Sequence, residues 1–88
     1  MKLYYCRKSV GDVLIIIKDD KAFPNKVVRK DNVVSLYRND NLVGINIFDF
    51  SKISRIFIEG EIVDPSIEFI TLVNHILRNA NIDTLLEA

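Results

Sequence analysis

The predicted fold is decided by residues 9–17, which read SVGDVLIII. The five apolar residues Val13–Ile17 do not alternate with polar ones, which is typical of a strand that is covered on both faces. We therefore expect a central strand over residues 12–18. Gly11 precedes it and predicts a turn in a backbone conformation that a β-carbon would disfavour.

The second informative stretch, VGINIF, occupies residues 43–48 and contains Gly44. Apolar side chains alternate around Asn46, so one face of this strand is predicted to be buried and the other to meet water. A glycine inside a strand weakens it unless it marks a bulge or the close approach of another element. We expect one of these two features at Gly44.

Two tight turns are predicted between these stretches. Asp31-Asn32 separates two strand-forming runs, and Asn39-Asp40-Asn41 separates the second run from residues 42–48. Asn and Asp tolerate positive φ, so both connections can be hairpins. The predicted sheet is thus mainly antiparallel and meander-like. Besides the central strand, its strands are residues 3–6, 26–30, 33–38 and 42–48.

Shorter segments carry weaker signals. Residues 48–53 are compatible with a helical turn capped by Ser51. Residues 55–58 alternate weakly and predict a further short strand, and Glu59-Gly60 is typical of a turn. Residues 83–88 predict one more helical turn at the end of the chain.

Residues 65–80 form the clearest predicted helix. Asp64 is a good N-cap and Pro65 suits the first helical position. Asn79 or Asn81 is expected to end the helix in a left-handed conformation. One apolar stripe follows helical spacing and is made of Phe69, Val73, Ile76, Leu77 and Ala80.

These elements predict a single α+β domain over residues 1–88, with the amphipathic C-terminal helix covering one face of the sheet. The abrupt end of the sequence favours an N-terminal domain of a longer protein. We expect the core to contain Leu3, Tyr5, Val13, Ile15, Val28, Val34, Leu36, Ile45, Ile47, Phe57, Phe69, Val73, Ile76 and Leu77.

Composition narrows the class of protein. The 88 residues fit one domain, and 12 basic residues balance 12 acidic ones, whereas nucleic-acid-binding domains usually have a basic excess. Cys6 is the only cysteine, which excludes an internal disulfide and favours a reducing, cytoplasmic location. The longest apolar run has five residues, so no membrane association is expected.

Few residues are candidates for catalysis or for binding a metal or cofactor. His75 is the only histidine, and its position in the helix favours a surface role over a general base. Cys6 fits the alternation of a strand better than it fits a nucleophile. No metal-ligand spacing and no phosphate-binding glycine loop is present, so we expect no metal, no cofactor and no catalytic residue. A small enzyme that uses His75 or Cys6 is the least favoured alternative.

Direct RNA contact is one candidate function, and the alternative is a non-enzymatic domain that itself binds no RNA. Six basic residues near the strand ends could cluster at one edge of the sheet, with Tyr4, Tyr5 and Tyr37 near them, where they could pair with phosphates while the rings stack on bases. The same charges could instead keep sheet edges from associating, and we favour this explanation. The candidate RNA contacts are Arg7, Lys8, Lys26, Arg29, Lys30 and Arg38.

An ordered series of short segments runs through the whole chain. They are Tyr5, then residues 9–14 (SVGDVL), 28–30 (VRK) with 32–34 (NVV), 44–48 (GINIF), Gly60, and then Val73-Asn74, Ile76-Leu77 and Leu85. In this order and spacing the chain resembles the N-terminal domain of YtpR-type bacterial tRNA-binding proteins.

This resemblance implies a following OB-fold domain that binds tRNA and is absent from these 88 residues. It therefore implies a non-enzymatic accessory module, which positions the RNA-binding domain or mediates protein contacts. The implied partners are tRNA, chiefly through the following domain, and a protein partner or a second copy. No tRNA-contacting residue carries over to this chain.

Overall fold

Six strands and two helices make up the described part of the chain, residues 1–7, 11–54, 59–83 and 85–87 of the computed structural model. The strands are β1 (Lys2–Cys6), β2 (Val13–Ile17), β3 (Lys26–Lys30), β4 (Val33–Arg38), β5 (Asn41–Phe48) and β6 (Gly60–Glu61). The helices are α1 (Phe50–Ser54) and α2 (Ile67–Asn79). Every described strand pair is antiparallel, in the order β3-β4-β5-β2-β1-β6. The predicted α+β class, the meander and the interior position of β2 are confirmed.

The tight turns form where Asn and Asp residues predict them. Asp31 has a φ of 54° in the β3–β4 turn, and Asn39 and Asp40 have φ values of 50° and 66° in the β4–β5 turn. Gly11 has a φ of 76° before β2, with no heavy atom within 4 Å of where a β-carbon would lie. The glycine is thus required there by its backbone conformation and not by lack of space.

Gly44 lies beside an irregularity of the sheet. On β5, Leu42 opposes Tyr37 and Gly44 opposes Leu36, so Val43 is an extra residue between them. A β-carbon on Gly44 would lie 3.3 Å from a backbone oxygen of β2. Both features predicted for this glycine, a bulge and a close approach, are therefore present.

The core lies between α2 and one face of the sheet. Leu3 on β1, Ile16 on β2 and Ile45 on β5 are directly opposite one another in register, and all three are buried. The Phe50 ring lies between the rings of Tyr5 and Phe69, with both centroids 5.8 Å away. The predicted core residues that are buried on this face are Leu3, Tyr5, Ile45, Ile47, Phe69, Val73, Ile76 and Leu77, and Val13 is buried on the opposite face.

The second face of the sheet is only half covered. Ile15, Val34 and Leu36, which we expected in the core, point to this face and are half-buried. The expectation that β2 is covered on both faces is therefore only partly right. Val28 was wrongly placed in the core, because it lies on the edge strand β3 and is 43% exposed. Phe57 and the predicted strand 55–58 lie outside the described residues.

Helix α2 begins two residues later than predicted. Asp64 has a left-handed φ of 53°, and the N-cap is Ser66, whose hydroxyl accepts a hydrogen bond from the Phe69 N–H at 3.2 Å. The C-terminal end of α2 is closer to the prediction. Asn81 has a left-handed φ of 63° just after the C-cap Ala80. No helix in the described ranges is long and apolar enough to span a membrane.

Residues after α2 are held by a side chain of the helix. The Asn74 amide donates to the Leu86 carbonyl at 2.8 Å and accepts from the Leu86 N–H at 3.1 Å. Both residues are buried, and the described residues of 83–88 are not helical, which corrects the predicted extra turn. Gly60 has a φ of 94°, as its predicted turn requires, but begins β6.

Candidate functional site at the cationic edge of the sheet

Strand β3 is one edge of the sheet, and all five of its residues are exposed. It contains three cations, Lys26, Arg29 and Lys30, and no acidic residue. Its two remaining residues are Val27, which is 62% exposed, and Val28. We call this strand the cationic edge. Because alternate residues of an edge strand direct their N–H and C=O groups away from the sheet, the strand offers unpaired backbone groups between these charges.

The cationic edge is fixed in position at its start. The Asn25 N–H donates to the Tyr37 carbonyl at 2.8 Å, and the Asn25 amide donates to the Asn39 side chain at 3.1 Å. The Asn39 N–H in turn donates to the Asn25 side-chain oxygen at 3.2 Å. These bonds attach the chain before β3 to the end of β4 and to the β4–β5 turn.

Its other end is fixed by Asn32 in the β3–β4 turn. The Asn32 amide donates to the Phe48 carbonyl at 2.7 Å, while the Phe48 N–H donates to the Asn32 carbonyl at 2.8 Å. The Arg29 Nε donates to the Asp31 carbonyl at 3.1 Å. The edge strand is therefore preorganised, which reduces the entropy that a partner must remove on binding.

The cations of β3 lie on both sides of the sheet. Lys26 and Lys30 point to the side of α2, and Arg29 points to the half-covered face. The Lys26 ammonium lies 5.9 Å from the Tyr37 ring centroid and 3.9 Å from an Asp40 carboxylate oxygen. The Arg29 guanidinium lies 5.7 Å from the centroid of the Phe48 ring. The ammonium of Lys26 and the guanidinium of Arg29 each lie near an aromatic ring, which attracts the positive charge.

The structure brings together only part of the predicted RNA-contact set. Lys26, Arg29 and Lys30 share the cationic edge, and Arg38 ends the neighbouring β4. Arg7 follows β1, which is four strand spacings from β3, about 19 Å at the usual spacing. The predicted clustering is therefore wrong for Arg7, and Lys8 lies outside the described residues.

The tyrosines separate in the same way. Tyr37 contacts Lys26, whereas Tyr4 and Tyr5 lie on the distant β1. Tyr5 is 1% exposed, so its ring is not available to stack on a base. Tyr4 points to the half-covered face, opposite Ile15.

Comparison with protein families gives a match that covers the cationic edge. The model of the domain of unknown function DUF4479 matches residues 18–88, which include β3 to β6 and both helices. The chain belongs to the DUF4479 family. A search of the curated proteins and a search of the solved structures find no match.

A polar cluster around Asp12 is the feature of this DUF4479 domain that sequence reasoning missed. The Asp12 carboxylate accepts hydrogen bonds from the Tyr5 hydroxyl and the Ser51 hydroxyl. It also accepts from the Ser51 N–H at 2.9 and 3.0 Å, at the start of α1. Asp12 therefore caps α1 from a distant loop, and Ser51 is not the cap that we expected.

The cluster shifts the pKa values of its members in opposite directions. Burial favours the neutral Asp12 carboxyl, but the hydrogen bonds from Ser51 and Tyr5 outweigh it and lower the pKa of Asp12. Burial, followed by the bond to Asp12, raises the pKa of Tyr5. Since the carboxylate is saturated with donors and the Tyr5 ring is buried, the cluster serves the fold of the DUF4479 domain.

The two candidates for enzymatic chemistry lie apart. His75 is exposed and lines a cavity of about 360 Å³ with Lys30, Asn32 and Asn79, whose amide nitrogen lies 3.3 Å from the His75 Nε2. Cys6 is half-buried on the other side of the sheet, opposite Val13. Within the described part of the DUF4479 domain, no three His, Cys, Asp or Glu side chains are grouped to hold a metal ion.

Proposed function

We propose that this DUF4479 domain is a non-enzymatic accessory module, which makes protein contacts and positions an RNA-binding domain in the cytoplasm. The observation that carries the proposal is the cationic edge: a preorganised strand with five exposed residues and three cations. Such an edge is a template for pairing with another chain. The resemblance to the N-terminal domain of YtpR-type tRNA-binding proteins supports the link to an RNA-binding domain.

The hydrogen bonds of Asn74 support the positioning role. They hold the backbone of Leu86 against α2, so the direction of the chain after the helix is defined by a buried side chain. A domain that followed such an anchored segment would start from a fixed point relative to the sheet. This arrangement favours orientation of a neighbour over a flexible tether.

Direct RNA contact is the second candidate function, and one observation favours it. Lys26 lies over the Tyr37 ring on an exposed strand, so a phosphate group and a base could bind side by side there. The zero net charge of the chain argues against it, because nucleic-acid affinity comes largely from excess positive charge. We therefore rank it second.

A tRNA titration of the 88-residue chain separates the two candidates. Fluorescence anisotropy of labelled tRNA should show only the weak, non-specific affinity typical of basic patches, with a Kd of about 10⁻⁴ M or weaker at physiological salt. A Kd below about 10⁻⁶ M would overturn the accessory role. Loss of that binding in Lys26→Glu/Lys30→Glu, with Lys18→Glu/Lys21→Glu unchanged, would establish direct RNA contact through the cationic edge.

A further inference from the structure

We propose that the cationic edge is the docking site for an extended acidic segment of a partner protein, which adds a strand next to β3. The inference rests on the proposed function, since it names the partner chemistry of an interaction module. It is carried by three features of β3: its backbone, the order of its side chains and the like charges that disfavour a second copy.

The backbone of β3 is ready to accept a strand. The strand is paired with β4 on one side only, and no strand in the described ranges pairs with its outer side. It contains no proline, and the β3–β4 register runs without a shift from Lys26↔Tyr37 to Lys30↔Val33. Proteins usually protect an edge with proline, a bulge or inward charges. Here the charges on β3 itself are the remaining protection, and an acidic partner would neutralise them.

The side chains of β3 specify the sequence of the partner. In an antiparallel pair, directly opposite residues share a face and contact each other. A strand that runs opposite to Lys30, Arg29, Val28, Val27 and Lys26 would therefore carry acidic, acidic, apolar, apolar and acidic residues in that order. Glu-Glu-Val-Val-Glu is the simplest segment with this pattern.

Like charges disfavour a second copy as the occupant. Closed dimers of edge strands are two-fold symmetric, so the strands pair antiparallel about a central residue, here Val28. Lys26 of each chain would then oppose Lys30 of the other, twice in one interface. Directly opposite like charges destabilise a strand pair.

The arrangement of the cations favours a peptide over RNA. Lys26 and Lys30 lie on one face of the sheet and Arg29 lies on the other. An added strand alternates in the same way, so its carboxylates reach all three cations while its backbone pairs with β3. A nucleic-acid backbone that lies on one face reaches at most two of the three.

A pair of isomeric peptides tests register and charge together. The first is the end-blocked peptide Thr-Glu-Glu-Val-Val-Glu-Thr, and the second is its permutation Thr-Val-Glu-Glu-Glu-Val-Thr, with the same composition and charge. At roughly 10 mM salt, where screening is weak, the first should bind the full chain at least about tenfold more tightly, measured by fluorescence anisotropy. Equal affinities would overturn the strand-addition proposal, and so would the absence of binding by both.

Charge-reversed variants locate the site. Lys26→Glu/Lys30→Glu should weaken binding of the first peptide at least about tenfold, because two attractive pairs become repulsive. The control Lys18→Glu/Lys21→Glu changes the net charge equally, with both residues exposed outside β3, and should change the affinity by no more than about threefold. Equal losses in both variants would contradict docking at β3. The peptide comparison on the unmodified chain does not depend on how either variant folds.

Two further results separate this inference from the proposed function. A single-stranded oligouridylate of about twelve nucleotides should bind more weakly than the first peptide. Tighter binding of the oligouridylate, lost in Lys26→Glu/Lys30→Glu, would overturn the peptide partner in favour of RNA. Failure of both peptides together with weak tRNA binding would remove only the acidic-strand partner and leave the accessory role standing.

Discussion

Replacing Asp12 by alanine should destabilise the domain, because the carboxylate accepts hydrogen bonds from both Tyr5 and Ser51. The substitution leaves the Tyr5 hydroxyl, on a side chain that is 1% exposed, without its acceptor, which costs about 1–3 kcal/mol. It also removes the cap of the Ser51 N–H at the start of α1, which costs about 0.5–2 kcal/mol. The sum is about 1.5–5 kcal/mol.

This loss is large for a chain of 88 residues, whose total stability is expected to be about 4–13 kcal/mol. Urea unfolding followed by far-UV circular dichroism measures it directly. A thermal scan should show a midpoint lower by roughly 6–40 °C, since 1 kcal/mol corresponds to about 4–8 °C in a domain of this size.

A double-mutant cycle with Tyr5→Phe identifies the mechanism. In the unmodified chain, Tyr5→Phe removes a hydrogen bond to a charged carboxylate and should cost about 1.5–3 kcal/mol. In the Asp12→Ala background it removes a hydroxyl that has lost its carboxylate acceptor, so it should cost much less or be neutral. A loss below about 0.5 kcal/mol for Asp12→Ala, or strict additivity of the two changes, would refute the assigned role of this cluster.

Three other predictions concern the core, the C-terminal anchor and pH. Leu77→Ala should cost about 2–5 kcal/mol in urea unfolding, while Ile67→Ala, at a 68% exposed position of the same helix, should stay within about 0.5 kcal/mol; similar losses would show that the buried face is misassigned. Asn74→Leu should cost about 1–3 kcal/mol and deprotect the Leu86 amide in hydrogen exchange; retained protection would contradict the anchor. Because the folded-state pKa of Asp12 lies below its unfolded value of about 3.9, its stabilisation is present above pH 4 and is lost as pH falls through the folded-state pKa. Asp12→Asn should flatten that acid limb of the stability curve, and an unchanged limb would contradict the assignment.

Features of the fold that depend on neighbouring residues were predicted correctly from the sequence. The hairpins depend on adjacent residues, Asp31 and the pair Asn39-Asp40, whose positive φ values are intrinsic preferences. The N-cap was predicted as Asp64, whose backbone is left-handed, and Ser66 caps the helix instead; both residue types are good caps, so residue preference alone did not identify the correct one.

Other features depend on contacts between distant parts of the chain. Asp12 and Ser51 are 39 positions apart, and nothing in either segment indicates that they meet. Asn74 resembles an ordinary polar residue on a helix until the backbone of Leu86 lies against it. Val28 is as apolar as any core residue, and only the strand order places it at an edge beyond the buried face.

In the candidate site, too, some features follow from neighbouring residues and others depend on how distant strands are arranged. The cations of β3 belong to the predicted set of six basic residues, and they stay together because they are neighbours on one strand. Their isolation from Arg7 follows from the strand order, in which β4, β5 and β2 lie between β3 and β1. Strand order is determined by the packing of the whole chain and is not encoded by any single segment.

Amide hydrogen exchange of β3 is the most direct test of the claim that this edge is where the domain meets its partner. Saturation with Thr-Glu-Glu-Val-Val-Glu-Thr should slow the exchange of outward-facing amides between Lys26 and Lys30 at least about tenfold, because they become hydrogen-bonded. The short edge strand at the other side of the sheet, Gly60–Glu61, should exchange as before. Unchanged exchange in β3 at saturation, or protection at Gly60–Glu61 instead, would contradict the account.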